Sequence, residues 1–313
     1  MPGETVITIT MNPTIDKSAT VDKIYPEAKL RCSPAKYEPG GGGINVSKGL
    51  KRLGVDTLAL FTAGGHNGNM LQDLLKLEKI NTRAVPVDTE TRENFIVLES
   101  STNKQYRFNI PGAALPVSAA QQCLDILQNL QTKPSYIVAS GSLPGGIPDN
   151  FYAAVANWAA SINSKFILDT SGKPLQLAMK ENIYLLKPNL SELGQLTGRA
   201  EMIREEVPMA AQQLIRSGNC AVIVVSLGAE GALLVTKDHH EFVAAPPVKK
   251  QSTVGAGDSM VAGMVYMLLG NRSLWEAIRF GVACGTAATM NAGTELFHTT
   301  DANELYSRIG RTL

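Results

Sequence analysis

Residues 252–259 are S-T-V-G-A-G-D-S, which places three small residues directly before an acid at the point where an apolar helix begins. The backbone N–H groups of Gly255, Ala256 and Gly257 can converge at the start of that helix, where the helix dipole favours negative charge. A phosphoryl group bound there would leave Asp258 placed to accept the proton of an attacking hydroxyl. The stretch indicates phosphoryl transfer, although a turn that only lets strand and helix pack closely would have the same sequence.

The composition is that of an ordinary globular protein. The 313 residues are enough for one large α/β domain or two modest ones, and an apolar fraction of 44% is normal for a protein with a core. Lysine and arginine total 29, and aspartate and glutamate total 28. Because the charges nearly balance, we expect neither nucleic acid nor a membrane as a partner. The balance favours a small-molecule substrate bound by local contacts.

The cysteines and the N-terminus favour a cytoplasmic protein. Cys32, Cys123, Cys220 and Cys284 lie far apart and form no C-x-x-C pair, so neither a zinc site nor a redox pair is predicted. We expect buried, reduced thiols. The first residues, M-P-G-E-T, run directly into an alternating strand without a signal-peptide pattern, and no apolar run approaches membrane-spanning length.

Strand-like and helix-like patterns alternate along the chain. The strand-like runs are residues 6–11, 58–63, 95–99, 136–140, 166–169, 184–187, 222–226 and 232–236. Apolar residues at helical spacing mark residues 43–53, 70–79, 119–130, 151–162, 208–216 and 257–269. This alternation predicts a three-layer α/β/α fold with a mostly parallel central sheet and with ligands at the carboxyl ends of the strands.

Two segments interrupt the alternation. Residues from about 17 to 39 and from about 86 to 110 contain short strand-like pieces with no helix between them. We expect them to form a small β-sheet that projects as a lid from a single domain spanning residues 1–313. Because exposed strand edges tend to be paired or covered, two such lids packed together would form a homodimer.

A second glycine cluster, E-P-G-G-G-G-I-N-V, leads into a predicted helix with Asn45 in its first turn. Successive glycines cost conformational entropy, which indicates close backbone approach or positive φ, with a flexible loop as the alternative. Asn45 could then bind a ligand hydroxyl.

Neither standard nucleotide fingerprint occurs in the sequence. No G-x-x-x-x-G-K-[ST] is present, and the first strand ends in M-N-P-T-I-D and not in a G-x-G-x-x-G turn. Their absence weakens the P-loop and the dinucleotide-dependent dehydrogenase interpretations together.

Two further motifs follow predicted strands in the C-terminal half. K-P-N-L-S-E begins at Lys187 and places Asn189 as a helix N-cap with Glu192 three residues later. A capping box, with no function beyond starting the helix, would explain this spacing. The functional alternative assigns Glu192 to Mg²⁺ through water and Asn189 to nucleotide phosphates. S-L-G-A-E-G, residues 226–231, is typical of a hairpin turn. It indicates a binding function only in combination with the other motifs.

Cationic residues are concentrated in the lid segments, at Lys29, Arg31, Arg92 and Arg107. Each of them alone is explained by a solvated surface position. Several cations on a lid over a nearly neutral protein favour capture of a phosphate that the substrate already carries. The four histidines have no ligand or triad spacing and receive no role.

The chain resembles the ribokinase-like carbohydrate kinases over nearly its whole length. The resemblance is carried, in order, by Asp16, G-G-G-G-I-N-V, T-R-E-N, S-G-S-L-P, K-P-N-L-S-E, S-L-G-A-E-G and S-T-V-G-A-G-D-S. Within that family it is most similar to the bacterial minor 6-phosphofructokinases, through Y-P-E-A-K-L-R-C and E-P-G-G-G-G-I-N-V, with kinases of fructose 1-phosphate and tagatose 6-phosphate as close neighbours. The resemblance implies ATP-dependent phosphorylation of a ketohexose phosphate, with conversion of fructose 6-phosphate to fructose 1,6-bisphosphate as the expected reaction.

The resemblance also implies roles for individual residues. Asp258 would be the base, and the amides of Gly255, Ala256 and Gly257 would bind the transferring γ-phosphoryl group. The sugar and its phosphate would be bound by Asp16, Lys29, Arg31 (reaching across a dimer), Gly41, Gly42, Asn45, Arg92, Arg107 and Ser140. ATP and Mg²⁺ would be bound by Lys187, Asn189, Glu192 (through water), Ser226, Gly228, Gly231 and Ser252.

A monovalent cation, K⁺, beside the anion site is a further implication of the resemblance. Its ligands would be oxygens of Ser252, Val254, Ala288, Asn291 and Gly293. The chain departs from the bacterial minor 6-phosphofructokinases at Leu190 and Ser191, where they carry a more polar pair with a lysine. This departure argues against a second, inhibitory nucleotide site that needs that charge.

Two rival classes stay open. A nucleotide- or sugar-responsive regulatory protein on the same fold would need no base, so Asp258 argues against it. A dehydrogenase would need the missing dinucleotide fingerprint. Among kinases, fructose 6-phosphate, fructose 1-phosphate and tagatose 6-phosphate differ in hydroxyl configuration or phosphate position, and the sequence does not distinguish them.

Overall fold

Nine strands form the main β-sheet of the computed structural model, which describes residues 6–199, 201–218 and 220–310. Their order across the sheet is β13-β12-β11-β10-β9-β8-β1-β4-β5. The strands are β1 (Val6–Thr10), β4 (Thr57–Ala63), β5 (Asn81–Pro86), β8 (Tyr136–Ser140), β9 (Lys165–Asp169), β10 (Ile183–Leu186), β11 (Cys220–Ser226), β12 (Gly231–Val235) and β13 (His240–Ala244). From β11 to β5 neighbouring strands are parallel, and β12 and β13 add an antiparallel edge.

The direction in which the chain adds strands reverses at β1. The chain first builds β4 and β5 on one side of β1, and later builds β8 to β11 on the other side. The carboxyl ends of β1 and β8 therefore lie side by side at a topological switch point, which is where open α/β sheets bind ligands.

Helices cover both faces of the main sheet. They are α1 (Gly42–Arg52), α2 (Gly65–Leu77), α3 (Val117–Gln128), α4 (Phe151–Ser161), α5 (Gly172–Ala178), α6 (Leu190–Thr197), α7 (Val207–Ser217), α8 (Ala256–Leu269), α9 (Leu274–Thr289) and α10 (Thr299–Arg308). Alternate side chains of β1 point to opposite faces, so that Ile7 and Ile9 pack with α3, α4 and α7, whereas Val6 packs with α1, α8 and α9. This is the predicted three-layer α/β/α fold. Within the described residues, no helix combines the length and apolar character needed to cross a bilayer.

A second sheet of four strands, which we call the lid sheet, has the order β3-β2-β6-β7. Its strands are β2 (Thr14–Val21), β3 (Lys36–Gly40), β6 (Arg92–Glu99) and β7 (Lys104–Asn109). β2 and β6 are parallel, and each outer strand is antiparallel to its neighbour. The small sheet predicted from the lid segments is present. Its strand β2 begins at Thr14, earlier than predicted, because Thr14 and Asp16 pair with Gly40 and Glu38 of β3.

The sequence patterns do not identify β5, β13, α5, α9 and α10. Strands β5 and β13 form the two edges of the main sheet, and each has a single fully buried residue, Val85 and Val243. Such strands carry little apolar alternation. Helix α9 lies between α8 and α10 and is apolar around most of its circumference, so it shows no amphipathic stripe.

One expectation about the cysteines is wrong. Cys123, Cys220 and Cys284 are buried free thiols, but Cys32 is exposed. It lies in residues 22–35, which connect β2 to β3 and are almost entirely exposed, because this connection runs outside both sheets.

Candidate active site

Five adjacent strands of the main sheet each end at a polar side chain on the same edge. In spatial order these are Ser226 (β11), Lys187 (after β10), Asp169 (β9), Ser140 (β8) and Asn12 (after β1). Because the carboxyl ends of parallel strands meet at one edge, the five side chains line a polar groove. The N-termini of α1 and α8 reach the same groove, since glycines in their first turns lie against Ser140 and Lys187.

The carboxylate of Asp258, in the first turn of α8, is held from two sides. Nδ2 of Asn45 in α1 donates to its Oδ2 at 2.9 Å, and the hydroxyl of Ser140 donates to its Oδ1 at 3.2 Å. Each carboxylate oxygen has two acceptor sites, so the group can still accept a further donor. The structure therefore brings three of the predicted site residues together.

The electrostatic environment of Asp258 suits a general base. Burial and, next, the negative charge of Asp169 raise its pKa to about 6, against the hydrogen bond from Asn45 and the positive charge of Lys187. A carboxylate with this pKa is mostly ionised at neutral pH and is a stronger proton acceptor than an exposed aspartate.

The N-terminus of α8 has the backbone arrangement that the predicted anion site requires. Gly255 caps the helix with a φ of 71°, in the left-handed region that side chains rarely adopt. The first N–H groups of the helix, including those of Ala256 and Gly257, have no carbonyl partner within the helix. A Cβ on Gly257 would lie 3.4 Å from Nζ of Lys187, so a positive charge adjoins these amides. The free amide N–H groups of α8 and the ammonium group of Lys187 together favour the binding of an anion.

Asp169 belongs to the groove, although the sequence patterns did not identify it. Its Oδ1 lies 3.1 Å from Nζ of Lys187, whose side chain is 7% exposed. Burial acts to lower the pKa of Lys187, but the charges of Asp169, Asp258 and Glu192 outweigh burial and raise the pKa. Lys187 is therefore a fixed cation. The signal available in the sequence was an acid at the end of a strand-like run, followed by the loop T-S-G.

The glycine cluster lies where α1 begins, against the end of β8. Gly41 is the N-cap of α1 and Gly42 is its first residue. A Cβ on Gly42 would collide with Oγ of Ser140, so the close approach of α1 to β8 requires glycine there. This approach places Asn45 and Ser140 on opposite oxygens of Asp258, which favours close packing over the flexible-loop alternative.

Asp16 and Arg92 are connected within the lid sheet. Oδ1 of Asp16 accepts a hydrogen bond from Nδ2 of Asn94 at 2.9 Å. Oδ1 of Asn94 in turn accepts one from Nη1 of Arg92 at 3.0 Å. Arg92 also donates through Nε and Nη2 to the carbonyl oxygen of Asn12, at 3.4 and 3.3 Å, which ties the lid sheet to the end of β1.

Two side chains of β7 contact the loop before α8. Nη2 of Arg107 donates to Oγ1 of Thr253 at 3.0 Å, and Oγ of Ser252 lies 3.3 Å from Oε1 of Gln105. The lid sheet therefore lies over the N-terminus of α8, with Arg107 on the side that faces the groove.

Lys29 and Arg31 are placed differently from the other predicted sugar-binding residues. Both side chains are exposed in residues 22–35, on the connection between β2 and β3. Because both side chains are exposed, their role in phosphate binding stays a prediction.

K-P-N-L-S-E forms the capping box that its spacing predicts. Oδ1 of Asn189 accepts from the backbone N–H of Glu192 at 2.9 Å, and Oε2 of Glu192 accepts from the backbone N–H of Asn189 at 2.8 Å. The Nδ2 group of Asn189 and the Oε1 atom of Glu192 take no part in the box. Both groups therefore keep capacity for a ligand.

S-L-G-A-E-G forms the predicted hairpin turn. Strand β11 ends at Ser226, a 3-10 turn follows at Gly228–Glu230, and β12 begins at Gly231. Ser226 forms a backbone bridge with Asn189, so this turn and the capping box lie side by side at the edge of the sheet.

Glu192 fits the role of a ligand for hydrated Mg²⁺. Burial raises its pKa, and the negative charge of Asp169 adds to this, against the hydrogen bond from the backbone of Asn189. In the part of the chain that the structure describes, no cluster of three or more His, Cys, Asp or Glu residues could hold a metal ion. An ion at Glu192 would therefore take most of its ligands from water and phosphate, as Mg²⁺ does.

The residues predicted to bind a monovalent cation come from the loop before α8 and from the end of α9 with the loop that follows it, and these two segments contact each other. The hydroxyl of Ser252 donates to the carbonyl oxygen of Gly293 at 2.7 Å, and the backbone N–H of Val254 donates to Oγ of Ser252 at 3.2 Å. The backbone N–H of Asn291 donates to the carbonyl oxygen of Ala288 at 3.3 Å. This set of hydroxyl, amide and carbonyl oxygens beside α8 fits a hard cation such as K⁺.

Known proteins resemble this chain in sequence and in fold. The pfkB family of carbohydrate kinases matches residues 5–300. The ATP-dependent 6-phosphofructokinase isozyme 2 of Escherichia coli (strain K12) is 41% identical over 307 residues, which cover 98% of this chain and 99% of the relative. The 1-phosphofructokinase of Xanthomonas campestris pv. campestris is 35% identical over 267 residues, 84% of each chain. The crystal structure of phosphofructokinase-2 from Escherichia coli in complex with potassium has a TM-score of 0.93 at 40% identity and covers 97% of this chain and 99% of that chain.

Proposed function

Since the chain belongs to the pfkB family of carbohydrate kinases, we propose that it transfers the γ-phosphoryl group of ATP to the 1-hydroxyl of fructose 6-phosphate. The products are fructose 1,6-bisphosphate and ADP. The observation that carries the proposal is the position of Asp258, beside the free amides of α8 and oriented by Asn45 and Ser140.

Asp258 acts as the general base. Its carboxylate accepts the proton of the sugar hydroxyl as the hydroxyl oxygen forms its bond to the γ-phosphorus. The bond between the γ-phosphorus and the β–γ bridging oxygen breaks, and ADP leaves with that electron pair. Asn45 and Ser140 orient the carboxylate before the substrate binds, so little reorganisation accompanies proton transfer.

The amides at the start of α8 and the ammonium of Lys187 stabilise the charge on the transferring phosphoryl group. Because Lys187 is buried and paired with Asp169, its charge is fixed in place before the substrates bind. Fixed dipoles and charges in a site shielded from water lower the energy of the transition state. Contacts between β7 and the loop before α8 help to exclude water, which would otherwise compete as the acceptor.

The sugar lies between the lid sheet and the glycine cluster in this proposal. Asp16 supports this placement, because its Oδ2 is in contact with the position that a Cβ on Gly40 would occupy. The hydroxyls are bound by Asp16, Gly41, Gly42 and Asn45, and the phosphate by Arg92 and Arg107 with Lys29 and Arg31.

The nucleotide lies along the other half of the groove. Its binding residues are Lys187, Asn189, Ser226, Gly228, Gly231 and Ser252. Glu192 would hold Mg²⁺ through water, and the ion neutralises phosphate charge when bound. Oxygens of Ser252, Val254, Ala288, Asn291 and Gly293 would hold K⁺ beside the anion site.

A homodimer through the lid sheet is part of the proposal. The outer face of this sheet exposes Tyr37, Tyr106 and Phe108, and Phe108 stacks on Phe95 with ring centroids 6.2 Å apart. Exposed aromatic patches on a sheet favour a partner surface. A monomer by light scattering at micromolar concentration would contradict the dimer.

We place the enzyme in the cytoplasm. ATP is available there, and the reducing conditions keep free thiols reduced, including the exposed Cys32.

Fructose 1-phosphate is a second candidate substrate. The similarity to a 1-phosphofructokinase over 84% of this chain favours it. Both reactions yield fructose 1,6-bisphosphate, and they differ in which end of the sugar lies at Asp258 and which lies at the lid cations.

The test is release of ADP in a coupled assay with fructose 6-phosphate, fructose 1-phosphate and tagatose 6-phosphate. We expect the highest kcat/KM with fructose 6-phosphate. A higher kcat/KM with either other sugar would reassign the substrate. No sugar-dependent ADP release would contradict kinase activity and favour a regulatory protein on this fold.

A further inference from the structure

Asn94 lies in β6 between the two charged groups that would contact the sugar from the lid sheet. Its Nδ2 donates to Oδ1 of Asp16 at 2.9 Å, and its Oδ1 accepts from Nη1 of Arg92 at 3.0 Å. The residue is only 9% exposed, so water does not compete freely for these bonds. Both ends of its amide are therefore committed to charged partners.

The register of the lid sheet produces this arrangement. β2 and β6 are parallel, with Asp16 opposite Asn94 and Thr14 opposite Arg92. Residues two positions apart on a strand share a face, so Arg92 and Asn94 lie on one side of the sheet. The other carboxylate oxygen of Asp16, Oδ2, faces Gly40 at the start of the glycine cluster. Asn94 thus holds one oxygen of Asp16 and leaves the second free for a ligand.

A primary amide is chemically suited to this position. It offers a donor to the carboxylate and an acceptor to the guanidinium at the same time. An ionised carboxylate would accept from Arg92 but would repel Asp16. An aliphatic side chain would remove one hydrogen bond from the buried carboxylate of Asp16 and one from the partly buried guanidinium of Arg92, which is costly.

We propose that Asn94 is a positioning residue that sets the distance and orientation between the carboxylate of Asp16 and the guanidinium of Arg92. This inference rests on the proposed function, in which the two groups bind a hydroxyl and the phosphate of one ketohexose phosphate. A fixed spacing between them favours a sugar whose phosphate and hydroxyls match that spacing. Asn94 therefore contributes to sugar recognition without contacting the reacting atoms.

The protonation of Asp16 supplies a second readout. Burial raises its pKa, whereas the hydrogen bond from Asn94 and the positive charges of Arg92 and Lys48 lower it, and Glu38 adds a smaller raising effect. Loss of the Asn94 hydrogen bond therefore raises the pKa of Asp16 further. Because the protonated acid is a poorer acceptor for a sugar hydroxyl, sugar binding would then weaken at a higher pH than in the wild type.

The experiment compares Asn94→Ala with Asn129→Ala, a control at the exposed C-terminal end of α3. For Asn94→Ala we expect the KM for the sugar phosphate to rise about 10-fold or more, because hydrogen bonds to charged groups are lost. The KM for ATP should stay within about twofold of the wild type, and the acid limb of kcat/KM for the sugar should move to higher pH. Asn129→Ala should change none of these values.

Asn94→Asp tests the same idea with nearly unchanged shape. Its activity should be lowest where the new carboxylate is ionised and repels Asp16. It should recover as the pH falls, because the protonated acid can again donate to Asp16 and accept from Arg92. An unchanged sugar KM in Asn94→Ala, or an equal loss for sugar and ATP with an unshifted pH profile, would overturn the proposal.

The substrate assignment and the role of Asn94 can fail separately. The wild type is assayed first with the three ketohexose phosphates, and the variants are compared on the sugar that it uses. A preference for another sugar counts against fructose 6-phosphate. If Asn94→Ala has the wild-type KM for the preferred sugar, the proposed positioning role of Asn94 is contradicted.

Discussion

The groove at the edge of the main sheet and the lid sheet that covers it are built in different ways. In the groove, Asp258 is held by two hydrogen bonds and Lys187 is held by an ion pair with Asp169, at distances of 2.9 to 3.2 Å. On the connection between β2 and β3 of the lid sheet, Lys29 and Arg31 are exposed, and β7 meets the loop before α8 through polar contacts of 3.0 and 3.3 Å. The groups for chemistry are therefore held inside the body, whereas sugar recognition also uses two cations on an exposed connection. The lid sheet itself is anchored by Ile15 of β2, which is buried in an apolar cluster with residues of α1 and α2.

This difference predicts a division of kinetic effects. Substitutions in the groove should lower kcat, because they remove interactions that strengthen in the transition state. Substitutions in the lid sheet should mainly raise the KM for the sugar phosphate, because they weaken binding before the chemical step.

The largest effect is expected for Asp258→Ala. Removal of the general base should lower kcat about 10³-fold or more while leaving the KM for ATP within a few-fold of the wild type. Steady-state kinetics and nucleotide titration measure the two quantities. Asp73→Ala, which removes an exposed acid on α2, is the matched control and should leave kcat unchanged. Turnover near the wild-type value in Asp258→Ala would exclude the proposed base.

Lys187→Met should lower kcat about 10²-fold, because a fixed charge beside the transferring phosphoryl group is lost. Lys187 also helps to lower the pKa of Asp258, so the acid limb of the kcat profile, expected near the Asp258 pKa of about 6, should move to higher pH. The control is Lys173→Met, since Lys173 pairs with Asp149 at 2.8 Å but at an exposed position. A rise in the KM for ATP with unchanged kcat would limit Lys187 to nucleotide binding and contradict its role in the chemical step.

Arg92→Ala should raise the KM for the sugar phosphate about 10- to 100-fold, with a smaller change in kcat. The reason is loss of a partly buried guanidinium that is already oriented by Asn12 and Asn94. Initial rates at varied sugar and saturating ATP measure the effect, and Arg83→Ala on the exposed edge strand β5 is the control. A fall in kcat with unchanged KM would contradict the division between lid and groove.

The smallest effect is expected for Thr253→Val, which removes the hydrogen bond between the lid sheet and the loop before α8. One such bond at an exposed position should change the KM for the sugar about two- to fivefold. Thr300→Val, at an exposed position of α10, should have no effect. Loss of kcat as large as that of Lys187→Met would show that the lid contact organises the chemistry as well.

Local patterns predicted the parts of the site that depend on neighbouring residues. The capping box of Asn189 and Glu192 and the turn that begins at Ser226 follow from spacing alone, because each is completed within a few residues. The left-handed glycine before α8 and the acid after it were recognisable for the same reason. Edge strands such as β5 were missed, because burial of one side chain leaves no periodic pattern.

Contacts between distant segments could not be predicted in this way. Asp169 and Lys187 pair because β9 and β10 are neighbours in the sheet, and a pattern search along the chain does not include that adjacency. Asn94 gains Asp16 as a partner from the register between β2 and β6, and a shift of one residue would have abolished that contact. Its other charged partner, Arg92, is two positions away on the same strand.

The sequence by itself determined the class of reaction and the order of the elements, because small residues before an acid and alternating apolar patterns are local properties of the chain. Only the tertiary structure decided which groups act together. Asn45 and Asp258 are 213 positions apart, yet they form one hydrogen-bonded unit. The physical reason is that parallel strands and the helices between them bring remote chain segments to a common edge, where distance in space no longer follows distance in sequence.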